Sequence, residues 1–187
     1  MLPSSKQAII AYLRTLKTIQ NDVPPSKAKF PMNFIMRIIP KMQPPGKQPA
    51  QTDTVQYGQY LAQIASCRFC HTPMKKERLI MEKEFTGGHE FPLPGNIVVR
   101  SANITPDSET GIDSWTKETF FQRFRQFAEE ELNSLKPGEF NTIMPWSLYA
   151  GMMDDDLMAI YKYLMSLEPQ KNLAVRFVRL NKMADSN

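Results

Sequence analysis

The two cysteines of this 187-residue chain stand three positions apart, and one of its two histidines follows directly: Cys67-Arg68-Phe69-Cys70-His71. Positions i and i+3 share one face of a helix. The spacing therefore aims both thiols at one object, with the imidazole, four positions after Cys67, near the same face. Cys-x-x-Cys-His is the attachment signature of a c-type haem: two thioether links to the vinyl groups of a porphyrin, and a histidine on the iron. No other stretch constrains the chain as much, because these residues name a cofactor, its covalent links, an iron ligand and a compartment. A thioredoxin-like redox pair shares the cysteine spacing but needs a βαβ context that this pattern lacks. A structural zinc site needs four ligands, and only His89 is available to supplement the cluster. A disulfide beside an unrelated histidine is the haemless alternative.

The chain is long enough for one domain and an extension. Its 42% hydrophobic content supports a packed core, and fifteen prolines against eight glycines predict long, stiff connections. The net charge of +4 is mild and no dense Lys/Arg block occurs, which argues against a nucleic-acid partner. A basic surface suits an acidic protein partner instead. The most apolar early run, Phe30 to Ile39, is too short to cross a membrane and contains Arg37. No signal peptide follows Met1, although a c-type haem is normally attached outside the cytoplasm. The expectation is a chain without its native N-terminus, working in the periplasm or on the outer face of the cytoplasmic membrane.

Ile9, Ile10, Leu13 and Leu16 recur at helical spacing and predict a helix over Lys6 to Lys17. Residues 18 to 53, with Pro24-Pro25, Pro31, Pro40, Pro44-Pro45 and Pro49, read as extended and largely without regular structure; their apolar centre, Phe30 to Met36, is free to dock. A second helix is expected from Thr54 to Cys70, with Val55, Tyr57, Tyr60, Leu61 and Ile64 as its apolar positions. Residues 72 to 110 read mostly as loop, with a short hairpin around Gly87-Gly88 and Gly95. A third helix is expected from about Thr116 to Leu132, burying Phe120, Phe121, Phe124 and Phe127, and Lys136-Pro137-Gly138 forms a turn. The last helix runs from about Asp154 to Leu167: Asp154, Asp155 and Asp156 suit its positive end, and Pro169 stops it. One internal repeat is visible. Ala8-Ile9-Ile10-Ala11-Tyr12-Leu13-Arg14-Thr15-Leu16 matches Ala159 to Leu167 at Ala, Ile, Tyr and both Leu positions, 151 residues on.

A second iron ligand must come from elsewhere. Of twelve methionines, Met152, Met153, Met158 and Met165 read as core fillers. Met144 differs: it lies in Asn141-Thr142-Ile143-Met144-Pro145-Trp146, an irregular segment between two helices. Such a loop can carry a thioether to the far side of a haem, with Pro145 stiffening the approach. His89, in Gly87-Gly88-His89-Glu90, competes but reads as an exposed turn histidine only 18 residues beyond His71.

These residues carry a resemblance. Tyr57 to Pro169 looks like a class I cytochrome c domain, especially similar to the haem domains of cytochrome subunits serving bacterial membrane-associated dehydrogenases. The likeness rests on Tyr57-Gly58-Gln59-Tyr60-Leu61; on Ala102-Asn103-Ile104-Thr105-Pro106-Asp107 with Gly111-Ile112 and Trp115; on Met144-Pro145-Trp146; and on Asp155-Asp156-Leu157 leading to Ala159 through Leu164. It implies an all-α, class I cytochrome c fold with an N-terminal helix and extended linker. The helix carrying the haem motif would cross the last helix, Gly58 allowing close approach near Tyr161 to Leu164. It implies one covalent haem c with His71 and Met144 as axial ligands. It implies that Asn103, Thr105 and Trp115 lie near the haem propionates, with Arg100 as a further propionate partner. Asn103-Ile104-Thr105 is also a glycosylation sequon and an ordinary turn, and Trp115 also suits a core. Glu129-Glu130-Glu131 and the loop to Phe140 depart from the family pattern and read as a solvated face.

The expected layout is an N-terminal helix and Pro-rich segment over 1–50, a cytochrome domain over 51–172 and a tail over 173–187. The first helix resembles the last helix of such a domain, so 1–50 reads as the remnant of an upstream haem domain, or else as a private extension. Full coordination by His and Met suits one-electron exchange and a raised potential. The expected function is therefore an electron carrier rather than an enzyme. It would pass electrons from a dehydrogenase or quinol-oxidising partner, within a membrane-associated complex, to a downstream carrier or oxidase. The rivals are a haem enzyme or gas sensor with a displaceable sixth ligand, and a haemless module.

Overall fold

The computed structural model describes residues 3–38, 48–128 and 143–179. The expectations for Ile39, Pro40, Pro44-Pro45, the end of the third helix to Leu132, the acidic run from Glu129 to Phe140, the Lys136-Pro137-Gly138 turn and residues 180–187 lie outside them. The chain divides into two units, Met1–Gln48 and Pro49–Asn187.

The first unit holds α1 (Pro3–Thr15) and α2 (Met32–Ile38). α2 is a short helix within residues 18 to 53, the stretch expected to be largely without regular structure. Pro31 stands just ahead of it and its carbonyl accepts from the amides of Phe34 and Ile35, both at 3.0 Å. A proline is tolerated in a first turn because the N–H it lacks has no helical partner there. Ile9, Leu13, Phe34 and Met36 are exposed.

The second unit is organised by α3 (Thr54–Ile64) and α7 (Asp154–Met165), which share its most extensive inter-element contact. Asp53 caps α3 by accepting from the Gln56 amide at 3.2 Å; such a cap contributes about 1 kcal/mol. Tyr57, Leu61 and Ala62 on α3 pack with Leu157, Ala159, Ile160, Tyr163 and Leu164 on α7. The two backbones touch at Gly58: a Cβ there would lie 1.9 Å from the Ala159 carbonyl oxygen and 2.9 Å from Tyr163 Cβ. This is the close approach expected of that glycine.

The helix expected from Thr54 to Cys70 is interrupted. Ser66 adopts a left-handed conformation, with φ of 61°, and α4 (Cys67–Cys70) is a separate turn. The cause is distant in sequence: Tyr149 Oη donates to the Ala65 carbonyl at 2.6 Å, occupying the acceptor that a continuous helix would offer to the amide of residue 69.

The helices expected of an all-α fold are accompanied, among the described residues, by two small antiparallel sheets. β1 (Met74–Lys75) pairs with β2 (Arg78–Leu79). The second sheet has the order β3 (Glu90–Leu93), β4 (Ile97–Arg100), β5 (Phe177–Arg179). Ile97, Val98 and Val99 are β-branched and favour a strand. The chain reverses between β3 and β4 at Gly95 and Asn96, both at positive φ, residue types that tolerate this conformation. The hairpin thus turns at Gly95, and Gly87-Gly88 precede it. β5 comes from the stretch expected as a tail; it pairs Val98 with Val178 and Val99 with Phe177.

α5 (Lys117–Arg125) starts at Thr116, whose hydroxyl accepts from the Thr119 amide at 3.2 Å. It buries Phe120 and Phe124. Arg125 ties it to the start of α7 by bonds to the carbonyls of Ala150 and Met152 and to Asp154. Part of the stretch around Met144, expected to be irregular, ends in a one-turn helix, α6 (Trp146–Tyr149).

Candidate functional site

A cavity of about 550 Å³ opens in the second unit, within the range of roughly 300–1,000 Å³ typical of cofactor and small-molecule pockets. Its walls bring together Cys67, Cys70, His71, Arg100, Asn103, Trp115 and Met144. Thr105 does not line it. Much of the remaining wall is apolar, including Ile104, Ile112, Phe120, Phe124, Ile160 and Leu164.

α4 presents both thiols to this space. Burial pushes the free Cys67 thiol up to about 11 and raises that of Cys70, so before any attachment both are protonated near neutral pH. His71 Nδ1 lies 2.8 Å from the Ala102 carbonyl oxygen. A carbonyl only accepts, so Nδ1 carries the proton and Nε2 keeps its lone pair. Donation of the second ring N–H to a backbone carbonyl is the usual way a metal-binding histidine is oriented. Burial also lowers the His71 pKa, favouring the neutral ligand form.

Gly87 makes this arrangement possible. Its amide donates to the His71 carbonyl at 2.7 Å. At its φ of 74°, a Cβ would stand 2.4 Å from the Ala102 carbonyl carbon. Ala102 and Gly87 act through the backbone, which leaves no mark in a pattern of side chains; the doublet Gly87-Gly88 was the available signal.

Asn103 lines the cavity, but its amide is fully committed. Nδ2 donates to Thr110 Oγ1 at 2.9 Å and to the Gln170 carbonyl at 2.7 Å. Oδ1 accepts from the Thr105 amide at 2.9 Å and from Thr105 Oγ1 at 2.8 Å. Two donors and two lone pairs are all an amide has. Asn103 and Thr105 therefore lock the 103–111 loop to the segment after α7. Asn103→Ala is expected to lower stability by about 2 kcal/mol, because it leaves buried partners unpaired, while sparing the visible spectrum; thermal unfolding of both proteins checks this.

Arg100 is similarly tied, donating to Glu90 at 2.9 and 2.6 Å and to the Val175 carbonyl at 3.3 Å. Trp115 stays on the cavity wall, its carbonyl accepting from Tyr161 Oη at 2.8 Å. His89 is corrected from an exposed turn residue to a buried one, 7% exposed. Its ring sits between Phe69 and Phe91, Nδ1 lies 3.2 Å from the Thr72 carbonyl, and it is not part of the cavity wall.

Met144 is half-buried and shares the cavity with His71. Its carbonyl accepts from the Trp146 amide at 2.8 Å, and the Trp146 indole packs against Phe124 and Phe127. Trp146 Nε1 is a buried donor without a hydrogen-bond partner among the described residues. Two further wall residues, Arg123 and Arg176, were not foreseen. Arg123 had a signal: it falls three after Phe120 and four before Phe127, on the apolar face of α5. Arg176 lay in the stretch read as a tail.

The donor set fits a covalent haem: two thiols on one turn, an imidazole with Nε2 available, a thioether in the same cavity and apolar walls. The second unit resembles a c-type cytochrome domain. It is similar to the cytochrome c subunit of a quinone-dependent alcohol dehydrogenase of Gluconobacter oxydans, at 30% identity over 118 residues, 63% of this chain and 22% of that relative. Likeness extends to the cytochrome subunit of fructose dehydrogenase from Gluconobacter japonicus, 31% identical over 63% of this chain and 22% of that protein. It also extends to the cytochrome c subunit of gluconate 2-dehydrogenase from Pantoea cypripedii, 32% identical over 59% of this chain and 22% of that protein. The chain thus spans about a fifth of the length of these relatives. No protein-family model matches it.

Proposed function

We propose that this domain is a one-electron carrier. It would hold one haem c through thioethers at Cys67 and Cys70, with His71 and Met144 as axial ligands, in a class I cytochrome c arrangement. The observation that carries the reading is the His71–Ala102 hydrogen bond, which keeps the Nε2 lone pair available in a cavity that Met144 shares. When bound, the haem supplies an iron that alternates between two oxidation states. The chain's part is to hold both ligands in place, so that little reorganises on electron transfer. Ala102 fixes the imidazole, and the Trp146 packing fixes the Met144 backbone. Ile112, Phe120, Phe124, Ile160 and Leu164 keep water from the ring; axial ligands, burial and hydrogen bonds to the ligands are the means by which a protein tunes such a site.

The relatives are subunits of dehydrogenases, which supports a role in taking electrons from a catalytic partner in a membrane-associated complex. Delivery would be to a downstream carrier or oxidase, in the periplasm or on the outer face of the cytoplasmic membrane. Among the described residues, no helix is long and apolar enough to cross a membrane. The chain itself would perform no chemistry on the substrate.

Produced with the haem-attachment machinery, the protein is expected to gain the mass of one haem, mapped to the peptide containing Cys67 and Cys70. It should also show a c-type absorption spectrum on reduction. Unmodified cysteines, or a disulfide between them in the mature protein, would sink the proposal.

A further inference from the structure

The cavity wall is electrostatically one-sided. Among the residues lining it are three arginines, Arg100, Arg123 and Arg176, and no aspartate or glutamate. Arg100 is neutralised by Glu90 at 2.6 Å. Arg123 and Arg176 have no carboxylate partner among the described residues: every ion pair there uses other cations, including Arg68 with Glu84 and Arg125 with Asp154. They arrive from separate parts of the fold, Arg123 from α5 and Arg176 from the residue ahead of β5. Arg123 is held on an aromatic shelf, its guanidinium carbon 5.0 Å from the Trp146 ring centroid and 5.5 Å from that of Phe127. Burial, and then the charge of Arg176, press the Arg123 pKa downward, so the half-buried Arg123 feels the like charge of Arg176. A half-buried cation beside an apolar cavity, such as Arg123, is costly unless an anion meets it, and Arg176 stands exposed on the wall of the same cavity.

Resting on the haem reading above, we infer that Arg123 and Arg176 form a clamp for the two propionate carboxylates of the haem. Of the propionate neighbours that the resemblance implies, Asn103, Thr105, Trp115 and Arg100, the side chains of Asn103, Thr105 and Arg100 are hydrogen-bonded within the protein. The charges match, two cations for two carboxylates, and a guanidinium fork suits a carboxylate in a two-pronged, charge-assisted pair. Because Arg176 is positioned by the pairing of β5 with β4, the C-terminal strand becomes part of the cofactor site. Cations beside the propionates favour the reduced haem, which carries one less positive charge, and so raise the potential.

The test uses the haem-loaded chain and its R123Q, R176Q, double-Gln and Arg→Lys variants. Two readouts are followed: the reduction potential, and the propionate bending bands in resonance Raman spectra. The double-Gln variant is expected to shift the reduced-to-oxidised ratio at fixed ambient potential about tenfold toward oxidised, which is 59 mV for one electron, with each single variant part of the way. The Lys variants should keep most of the potential but move the propionate bands, since they keep charge and lose the fork. R78Q, on β2 away from the cavity, should change neither. Unmoved potential and unmoved bands in a haem-loaded double-Gln variant would overturn the clamp. If a Gln variant fails to mature, the Lys variants decide: a moved band upholds the clamp and an unmoved band overturns it. Absence of haem from the unaltered chain would instead defeat the underlying reading, so the two failures are distinguishable.

Discussion

Met144→Ala is expected to lower the reduction potential by on the order of 0.2 V, a quarter of the range over which axial ligands set haem potentials. It is also expected to open the iron to carbon monoxide. The thioether is a weak donor that favours the reduced metal, and His/Met ligation accordingly sits high among haem proteins. Met144 enters from a well-anchored segment: Pro145 follows it, Trp146 starts α6 beside Phe124 and Phe127, and Tyr149 at the end of the same turn holds Ala65 next to the haem motif. Truncation at Cβ therefore removes the sulfur with little reason for the backbone to move. Potentiometry and carbon monoxide binding to the reduced protein check this. An unchanged potential with no carbon monoxide adduct would show that another residue supplies the sixth ligand. Fast adduct formation in the unaltered protein would instead favour a sensor or a haem enzyme.

The elements that sequence foretold are those whose physics is local. α3, α5 and α7 announce themselves by apolar spacing, and Cys67, Cys70 and His71 by a motif that works within one helical turn. Met144 stands out because its surroundings, proline and an aromatic between two helices, differ from those of a core methionine, and it lies on the cavity wall. What stayed hidden depends on partners far along the chain. The break at Ser66 follows from a tyrosine more than eighty residues away. Phe177-Val178-Arg179 has too little pattern to read as a strand until β4 offers its edge. His89 looked exposed because it follows two glycines, yet Phe69 and Phe91 enclose it. The Asn103 to Thr105 run bonds to Thr110 and Gln170, a role that family likeness alone does not separate from ligand contact.

Gly58→Ala is expected to cost about 3 kcal/mol, the upper end of ordinary overpacking, and to lower the unfolding midpoint by roughly 10 °C. The added methyl would stand 1.9 Å from the Ala159 carbonyl oxygen, well inside van der Waals contact. Neither side has a flexible group to swing away: Ala159 is 1% exposed, and Leu157, Ile160 and Leu164 bury the rest of that face of α7. Relief requires the two helices to part. α3 leads through Ser66 into the turn that carries His71, whereas α7 follows the segment that carries Met144, so parting them loosens the spacing of the two proposed ligands as well as the core. The variant should consequently melt early by far-ultraviolet circular dichroism and, once reduced, bind carbon monoxide in a fraction of molecules although both ligands are intact. Gln63→Ala, on the exposed side of α3, should do neither. Wild-type melting and no carbon monoxide binding by Gly58→Ala would mean that the helix crossing does not set the geometry of the site.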